Sequence, residues 1–237
     1  MQLDKIEDLI NTDIRLRESD HTYILESRPS IDFRNVTTLV RNQFPPFERK
    51  KIAGWLVNNS NKYTDYTAEE LLQEWDDRKD DGSAVHKELE NFILYGKIPT
   101  TPKAISGMHW YDREIGFYGD KIFPEVIVFS EALEVAGTMD LLVYNSNTDE
   151  CHIFDWKTSK KIDMNGRKRA ITLACAGLTD CRFDQYSLQL SMYSYLLANY
   201  HDIKIANQYL VQLTDTEANC IECRNLDQNV RLIFENL

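Results

Sequence analysis

Apolar and polar residues in the first half of the chain mostly follow the spacing of amphipathic helices. Over residues 4–16 the apolar positions recur every three or four residues, as on one face of a helix, whereas residues 21–26 alternate as in a short strand. Asp81-Gly82 predicts a break in the chain, because both residues favour turns. The other helices predicted in this half cover residues 48–58, 67–81, 82–95 and 107–118.

The second half of the chain changes to the alternation that is typical of strands. Three β-rich runs are separated by turn residues and predict three consecutive antiparallel strands, over residues 125–129, 134–144 and 151–156. The elements predicted after them are a long loop, a helix over residues 184–200, strands over residues 207–213 and 220–224, and a C-terminal helix. Both patterns in one chain favour an α/β fold, in which a mixed central sheet is flanked by helices.

The length of the chain bounds its organisation. With 237 residues and no Gly/Ser- or Pro-rich linker, the sequence fits one elaborated domain. Hydrophobic residues make up 43% of it, enough for a sizeable core, which argues against disorder. We expect a single domain with a mostly helical N-terminal subdomain (residues 1–80), a core (residues 81–213) and a C-terminal strand and helix (residues 214–237).

Several features predict an intracellular, cytoplasmic protein that does not associate with membranes. No apolar run approaches the ~18–20 residues that span a bilayer, and Met1-Gln2-Leu3-Asp4-Lys5 is not typical of a signal peptide. The cysteines are odd in number and mostly without pattern, which fits a reducing compartment better than a disulfide framework. They are Cys151, Cys175, Cys181, Cys220 and Cys223.

Charge is distributed unevenly along the chain. The net charge of −11 is not typical of a protein that binds nucleic acid. Residues 64–90 contribute −7, whereas residues 156–170 hold six basic residues and one acid, a local charge of +5. The basic segment therefore remains a candidate for binding an anionic partner, and a solvated loop is the alternative interpretation.

Two acidic residues and a lysine are predicted to converge at one end of the sheet, and we expect the active site at the sheet edge. Strand alternation places Asp155 and Lys157 on the same face, and pairing of the two strands through the intervening turn brings Asp140 close to Asp155. Two neighbouring carboxylates repel each other when buried unless a cation compensates their charge. Mg²⁺ and Mn²⁺ favour such oxygen ligands, so the pattern predicts a divalent metal site suited to phosphodiester hydrolysis.

Four short motifs resemble the core of the PD-(D/E)XK nuclease superfamily, specifically its RecB-like exonuclease branch. That branch includes stand-alone phage exonucleases and mitochondrial-maintenance exonucleases, and a phage-encoded chain would act in the host cytoplasm. Each motif is weak alone, but the four follow the family's order within residues 80–213. They are Gly82-x-x-x-His86-x-x-x-Glu90, Gly137-Thr-x-Asp140, Asp155-Trp-Lys-Thr-Ser159 and Gln189-x-x-x-Tyr193.

The resemblance implies a role for each matching residue. Metal ligands would be His86, Asp140, Asp155 and the backbone carbonyl of Trp156, with Glu125 and Glu90 as further candidate acids. The catalytic residues would be Lys157, Asp155, Asp140, Gln189 and Tyr193, of which Gln189 and Tyr193 would reach the active site or a phosphate. The nucleic-acid-binding residues expected in the basic segment are Lys160, Lys161, Arg167, Lys168 and Arg169.

The resemblance implies a Mg²⁺- or Mn²⁺-dependent DNA exonuclease that prefers single-stranded ends and serves replication, recombination or repair. Three alternatives stay open: an endonuclease on RNA or branched DNA, a non-catalytic nucleic-acid-binding subunit, and a nuclease module of a complex whose motor is a helicase or replication-protein partner. Some relatives hold an iron–sulfur cluster on four cysteines, one of them well upstream of the core. No cysteine precedes Cys151 here, which argues against a cluster.

Overall fold

The computed structural model describes all 237 residues and contains seven α-helices and eight strands. The helices are α1 (Gln2–Ile10), α2 (Val36–Arg41), α3 (Arg49–Asn59), α4 (Ala68–Tyr95), α5 (Pro102–Glu114), α6 (Arg182–Tyr200) and α7 (Asp227–Phe234). The strands are β1 (Ile14–Arg17), β2 (Thr22–Leu25), β3 (Arg34–Asn35), β4 (Lys121–Ser130), β5 (Val135–Asn145), β6 (Glu150–Lys157), β7 (Ile205–Leu213) and β8 (Ala218–Glu222).

Six of the strands form one mixed sheet, which confirms the prediction of an α/β fold with a mixed sheet and flanking helices. Strands β4, β5 and β6 are antiparallel to one another, as predicted, and β7 returns parallel to β6 after the crossover through α6. The edge strand β8 is antiparallel to β7. Strands β1 and β2 form a separate hairpin.

The sheet forks beside β5. Strand β4 pairs with β5 along its whole length, so β3 and β6 must share the other side of β5. On that side β3 pairs with Val135 and Ala136, while β6 pairs with residues 141–145. Residues 137–140 therefore have no strand partner there, and the sheet opens into a cleft along this stretch.

Helices cover both faces of the sheet. On one face, α6 contributes Leu188, Met192 and Leu196 to a buried cluster that also includes residues of α1, β2, α2 and α7. On the other face, a smaller cluster joins Leu89 of α4 and Trp110 of α5 to the sheet. Burial of apolar surface on both faces fixes where α4 and α6 lie relative to the cleft.

Several predicted boundaries were wrong for local physical reasons. The first helix ends at Ile10, and the later apolar positions of residues 4–16 belong to β1, where alternation applies. Helix α5 begins at Pro102 rather than Gly107, since proline is favoured in the first turn of a helix. The last strand ends at Glu222, so Cys223 lies outside it.

The predicted break at Asp81-Gly82 was also wrong, because α4 continues through both residues. A glycine inside a helix costs only about 1 kcal/mol. Helix α4 packs against both α3 and α5, with Leu71, Val85 and Leu89 buried, and these contacts outweigh the local preference.

The N-terminal 80 residues are less helical than predicted and complete the main core. The strand predicted over residues 21–26 is β2, whereas its partner β1, the sheet strand β3 and the short helix α2 were not predicted. Ile6, Tyr23 and Phe44 belong to the same buried cluster as Val128 of β4. Each helix of the chain is too short or too polar to cross a membrane.

Candidate metal centre

Three metal-ligating side chains meet at the cleft beside β5. His86 of α4, Glu125 of β4 and Asp140 of β5 each place one ligand atom within 4.8 Å of the others. The Nδ1 atom of His86 lies 3.3 Å from Oδ1 of Asp140. Two of these residues were the predicted ligands His86 and Asp140, and the third is Glu125, which the sequence offered only as an additional acid.

Glu125 reaches this group through an unusual backbone conformation. Its neighbours Pro124 and Val126 pair with Leu141 and Met139 of β5, so Glu125 stands opposite Asp140. Its φ is +51°, in the left-handed region that residues with a Cβ seldom adopt inside a strand. Ladder pairing on both sides holds this conformation, and backbone strain of this kind tends to occur at functional sites.

The fork of the sheet orients Asp140. Because residues 137–140 have no strand partner on the β6 side, the Asp140 carboxylate can accept a hydrogen bond from the backbone N–H of Trp156, at 2.7 Å. Its other oxygen faces His86. The Trp156 side chain is buried against Trp110, so β6 is fixed where it meets Asp140. A role of the Trp156 carbonyl as a ligand stays a prediction.

Two glycines of the sequence motifs allow close approach of elements around the cleft. A Cβ on Gly137 would lie 2.5 Å from Cε1 of Tyr193, so only glycine lets α6 sit directly over this part of β5. A Cβ on Gly82 would lie 3.1 Å from Oγ1 of Thr158, just after β6. Gly82 is one helical turn before His86, and it therefore lets α4 bring the imidazole close to the sheet.

Burial and mutual charge set the ionisation of the three ligating groups, taken as protein groups alone. Burial raises the pKa of Glu125 to about 8, and the charge of Asp140 acts in the same direction. Burial lowers the pKa of His86, but pairing with Asp140 outweighs it and brings the pKa to about 9. Burial opposes ionisation of Asp140, yet His86 holds the pKa of Asp140 below its ordinary value. The group thus carries competing negative charges that a cation would relieve.

Asp155 and Lys157 form an ion pair next to these ligands, rather than adding Asp155 to the group of three. Burial raises the pKa of Asp155 to about 6 against the effect of Lys157, and the charge of Asp140 contributes to the rise. The Lys157 Nζ also lies 4.4 Å from the ring centroid of Tyr186, a cation–π contact. The ammonium group is therefore held between a carboxylate and an aromatic face.

One face of α6 lines the site. Gln189 donates a hydrogen bond to the hydroxyl of Tyr193 at 2.9 Å, and the Tyr193 ring is buried. Tyr186 lies one turn before Gln189 on the same face, a position that the helical spacing of three and four residues identifies. The motif in this helix names only Gln189 and Tyr193, so sequence reasoning missed the contact of Tyr186 with Lys157.

A polar pocket of about 180 Å³ adjoins the candidate metal ligands. Glu125 and Asp140 form one side, Gln189 and Tyr193 another, and the β1–β2 hairpin closes it with Tyr23, whose hydroxyl lies 2.9 Å from Oγ1 of Thr138. The predicted position of the site, at an edge of the sheet, is thus wrong. The site lies between the inner strands β5 and β6, and α4, α6 and the hairpin cover it.

Glu90 lies one turn after His86 but is not part of the ligand group. Its carboxylate forms an ion pair with Lys87 at 2.6 Å. Among the cysteines, Cys220 is exposed and the other four are buried, and no cysteine belongs to a group of metal-ligating side chains.

The basic segment forms an exposed and well-anchored loop after β6. The carboxylate of Asp180 accepts hydrogen bonds from the backbone N–H groups of Arg167 and Lys168, at 2.8 and 2.9 Å. Only Lys161 of the five predicted nucleic-acid-binding cations forms an ion pair, with Asp163. All five of these cations have exposed side chains: Lys160, Lys161, Arg167, Lys168 and Arg169. We call residues 158–181 the basic loop.

Comparisons with known proteins add little to this geometry. No family model matches the chain, and no curated protein matches it. A similar solved structure is described as the crystal structure of SSO0001; it is 14% identical, and the alignment covers 97% of this chain and 79% of that chain with a TM-score of 0.39. Likeness at this level carries no argument about function, so a functional conclusion depends on the site itself.

Proposed function

We propose that this protein is a metal-dependent nuclease of the PD-(D/E)XK superfamily, RecB-like branch, that hydrolyses DNA phosphodiester bonds as an exonuclease acting on single-stranded ends. The observation that carries the proposal is the group His86, Glu125 and Asp140 beside the Asp155–Lys157 pair at the fork of the sheet. These residues come from four separate elements, and all of them except Glu125 belong to the motifs in the sequence.

The donor set fits a divalent cation. Two carboxylates and one imidazole within ligand spacing suit Mn²⁺, and Mg²⁺ with fewer protein ligands and more water. The hydrogen bond from the Trp156 N–H orients Asp140, as outer contacts commonly orient metal ligands. When bound, the cation would polarise a phosphate oxygen and lower the pKa of a water.

The residues around the ligands would bind and orient the reacting phosphate. The Lys157 ammonium, held between Asp155 and Tyr186, is placed to stabilise negative charge that develops on phosphate oxygens. The amide of Gln189 can position a phosphate oxygen at the rim of the polar pocket. The exposed cations of the basic loop follow β6 directly, where they would neutralise backbone phosphates of the strand that enters.

The proposal is tested by digestion of 5′- and 3′-labelled single- and double-stranded oligonucleotides with Mg²⁺, Mn²⁺ or EDTA. We expect metal-dependent shortening of the single strands from one end, at least about a hundredfold slower for Asp155→Asn and for Lys157→Ala because each loses a group at the reacting phosphate. The exposed acid Asp112 of α5 provides a matched control, Asp112→Asn, which should retain wild-type activity.

Closed circular single-stranded DNA and an RNA of the same sequence complete the test. An exonuclease leaves the circle intact, whereas cleavage of the circle identifies an endonuclease. Full activity of Asp155→Asn, or no cleavage of any substrate with either metal, would contradict the proposed function; metal binding without cleavage would instead favour a non-catalytic nucleic-acid-binding subunit.

A further inference from the structure

An apolar groove lies on the other side of Glu125 from the polar pocket. Its volume is about 300 Å³, and 8 of its 11 lining residues are hydrophobic. Its walls come from the end of α1, the start of β1, the middle of β4 and Leu94 of α4. Glu125 lines both this groove and the polar pocket, so the two cavities adjoin at this residue of the candidate metal centre.

The groove has one wall on α4, at Leu94, and opens to solvent. Residues His86, Glu90 and Leu94 follow each other at intervals of four, so they share one face of α4. At the mouth of the groove, Ile10 and Leu94 are 45% and 47% exposed. Exposed apolar side chains around a concave site commonly mark a place where a ligand binds.

We propose that this groove binds the unpaired nucleobase of the nucleotide next to the scissile phosphate, an inference that rests on the proposed nuclease function. A phosphate at the candidate metal ligands would place the attached nucleoside next to Glu125, and the wall beyond Glu125 is apolar, with Phe123 among aliphatic residues. The groove volume lies at the lower limit of ~300–1,000 Å³ for small-molecule sites, which suits a flat heterocycle rather than the end of a duplex.

This inference supplies a physical cause for a preference for single strands. A base that enters the groove has to leave the duplex stack, which costs unpairing energy in double-stranded DNA and much less in a single strand. The lining offers few hydrogen-bonding groups, chiefly Thr12 and Glu125, so the contact is apolar and does not distinguish one base from another.

The test compares two single-stranded oligonucleotides, one normal and one with abasic residues at the last three nucleotides of both ends. We expect wild-type protein to cleave the normal strand with a kcat/KM about tenfold higher, in line with the loss of apolar base contacts. Leu94→Trp fills the groove and should lower cleavage of the normal strand to the abasic level. Leu232 on α7 is 45% exposed and lines neither the groove nor the polar pocket, and Leu232→Trp should behave as wild type.

Two further measurements separate the groove from the metal centre. Calorimetric Mn²⁺ binding should be the same for Leu94→Trp and wild type, because Leu94 is not a ligand. Fluorescence anisotropy reports the affinity for both oligonucleotides without requiring turnover. Equal affinities and equal cleavage rates of the wild-type protein for the normal and abasic strands would overturn the proposal. So would a Leu94→Trp protein that still prefers the normal strand as strongly as wild type does. If the wild-type protein cleaves neither strand but still binds the normal strand more tightly, only the proposed nuclease function is overturned.

Discussion

The backbone of Glu125 adopts a positive φ inside a strand, which costs about 1–3 kcal/mol for a residue with a Cβ. Pro124 on one side and the pairing of Val126 with Met139 on the other fix this conformation. This conformation brings the Glu125 carboxylate close to Asp140 and His86 across the cleft. A residue whose local energy is unfavourable thus completes the ligand group.

Replacing Glu125 by glutamine tests its place in the metal centre. Glu125→Gln keeps the side-chain shape but removes a charged oxygen ligand, so Mn²⁺ affinity measured by calorimetry should fall at least about tenfold. Glu90→Gln is the matched control, because Glu90 is a nearby acid of α4 that pairs with Lys87; the Mn²⁺ affinity of this variant should stay within about twofold of wild type. Equal affinities for the two variants would remove Glu125 from the ligand set.

Gly137 is a residue whose lack of a side chain determines packing. Gly137→Ala places a Cβ against the buried ring of Tyr193, so the free energy of unfolding in denaturant should fall by about 1–3 kcal/mol. A Cβ on Gly54 in α3 would have no other atom within 4 Å, and Gly54→Ala should raise stability by up to about 1 kcal/mol. A Gly137→Ala protein as stable as wild type would show that α6 can shift away from β5.

At the level of elements, the unpaired stretch of β5 creates the site. Strands β3 and β6 approach β5 from the same side but leave residues 137–140 free between them. Helices α4 and α6 close over the cleft from opposite faces of the sheet. The basic loop then continues directly from the end of β6, where Lys157 lies.

Charge reversal in the basic loop tests this placement. Changing Arg167, Lys168 and Arg169 to glutamate should weaken single-stranded DNA binding and reduce the slope of log affinity against log salt by about 2, since each phosphate contact contributes ~0.7 for single strands. Lys50, Lys51 and Lys62 of the α3–α4 region are also exposed, and their reversal produces the same change in net charge. A loss of affinity that is equal in both variants would indicate a general charge effect and contradict a specific role of the loop.

For the whole molecule, the net charge of −11 is compatible with an anionic substrate because the charges are separated in space. The acids of the cleft face the candidate cation, and the exposed cations of the basic loop lie after β6. Binding should therefore depend on a narrow entrance rather than on the overall field.

Stability of the whole fold should depend on pH through His201. Burial lowers the pKa of His201 below its ordinary value of 6.5, while its ring nitrogen lies 2.7 Å from the Phe129 carbonyl of β4. The folded state therefore favours the neutral ring. Its contribution to stability is complete above about pH 6.5 and is lost as the pH falls below that value, because the unfolded chain then binds the proton more readily.

We expect His201→Gln to reduce this loss of stability at acid pH. The wild-type free energy of unfolding should decrease more steeply than that of the variant between about pH 6.5 and 5, by at most about 1.4 kcal/mol per pH unit. His109 on α5 is exposed, and His109→Gln should keep the wild-type slope. Identical slopes for all three proteins would show that His201 does not report on folding.

Local patterns predicted the elements best where tertiary contacts agree with them. Alternation placed β4, β5 and β6, and helical spacing placed α6 with Gln189 and Tyr193 on one face. Local patterns failed at Gly82, where packing on both sides of α4 outweighs a turn preference, and at β3, a strand of two residues that exists only because β5 lies beside it. Glu125 was a weak candidate because no local pattern reveals a positive φ.

The sequence by itself determined the chemistry of this protein: two acids and a lysine at strand spacing, a histidine on a helix, and a local group of cations in an acidic chain. Tertiary structure decided which of these groups meet. It brought Glu125 into the ligand group, paired Asp155 with Lys157, added Tyr186, and put the site at an inner fork rather than an edge. The physical reason is that spacing along a chain fixes the face on which a side chain lies, whereas burial and strand pairing fix its neighbours.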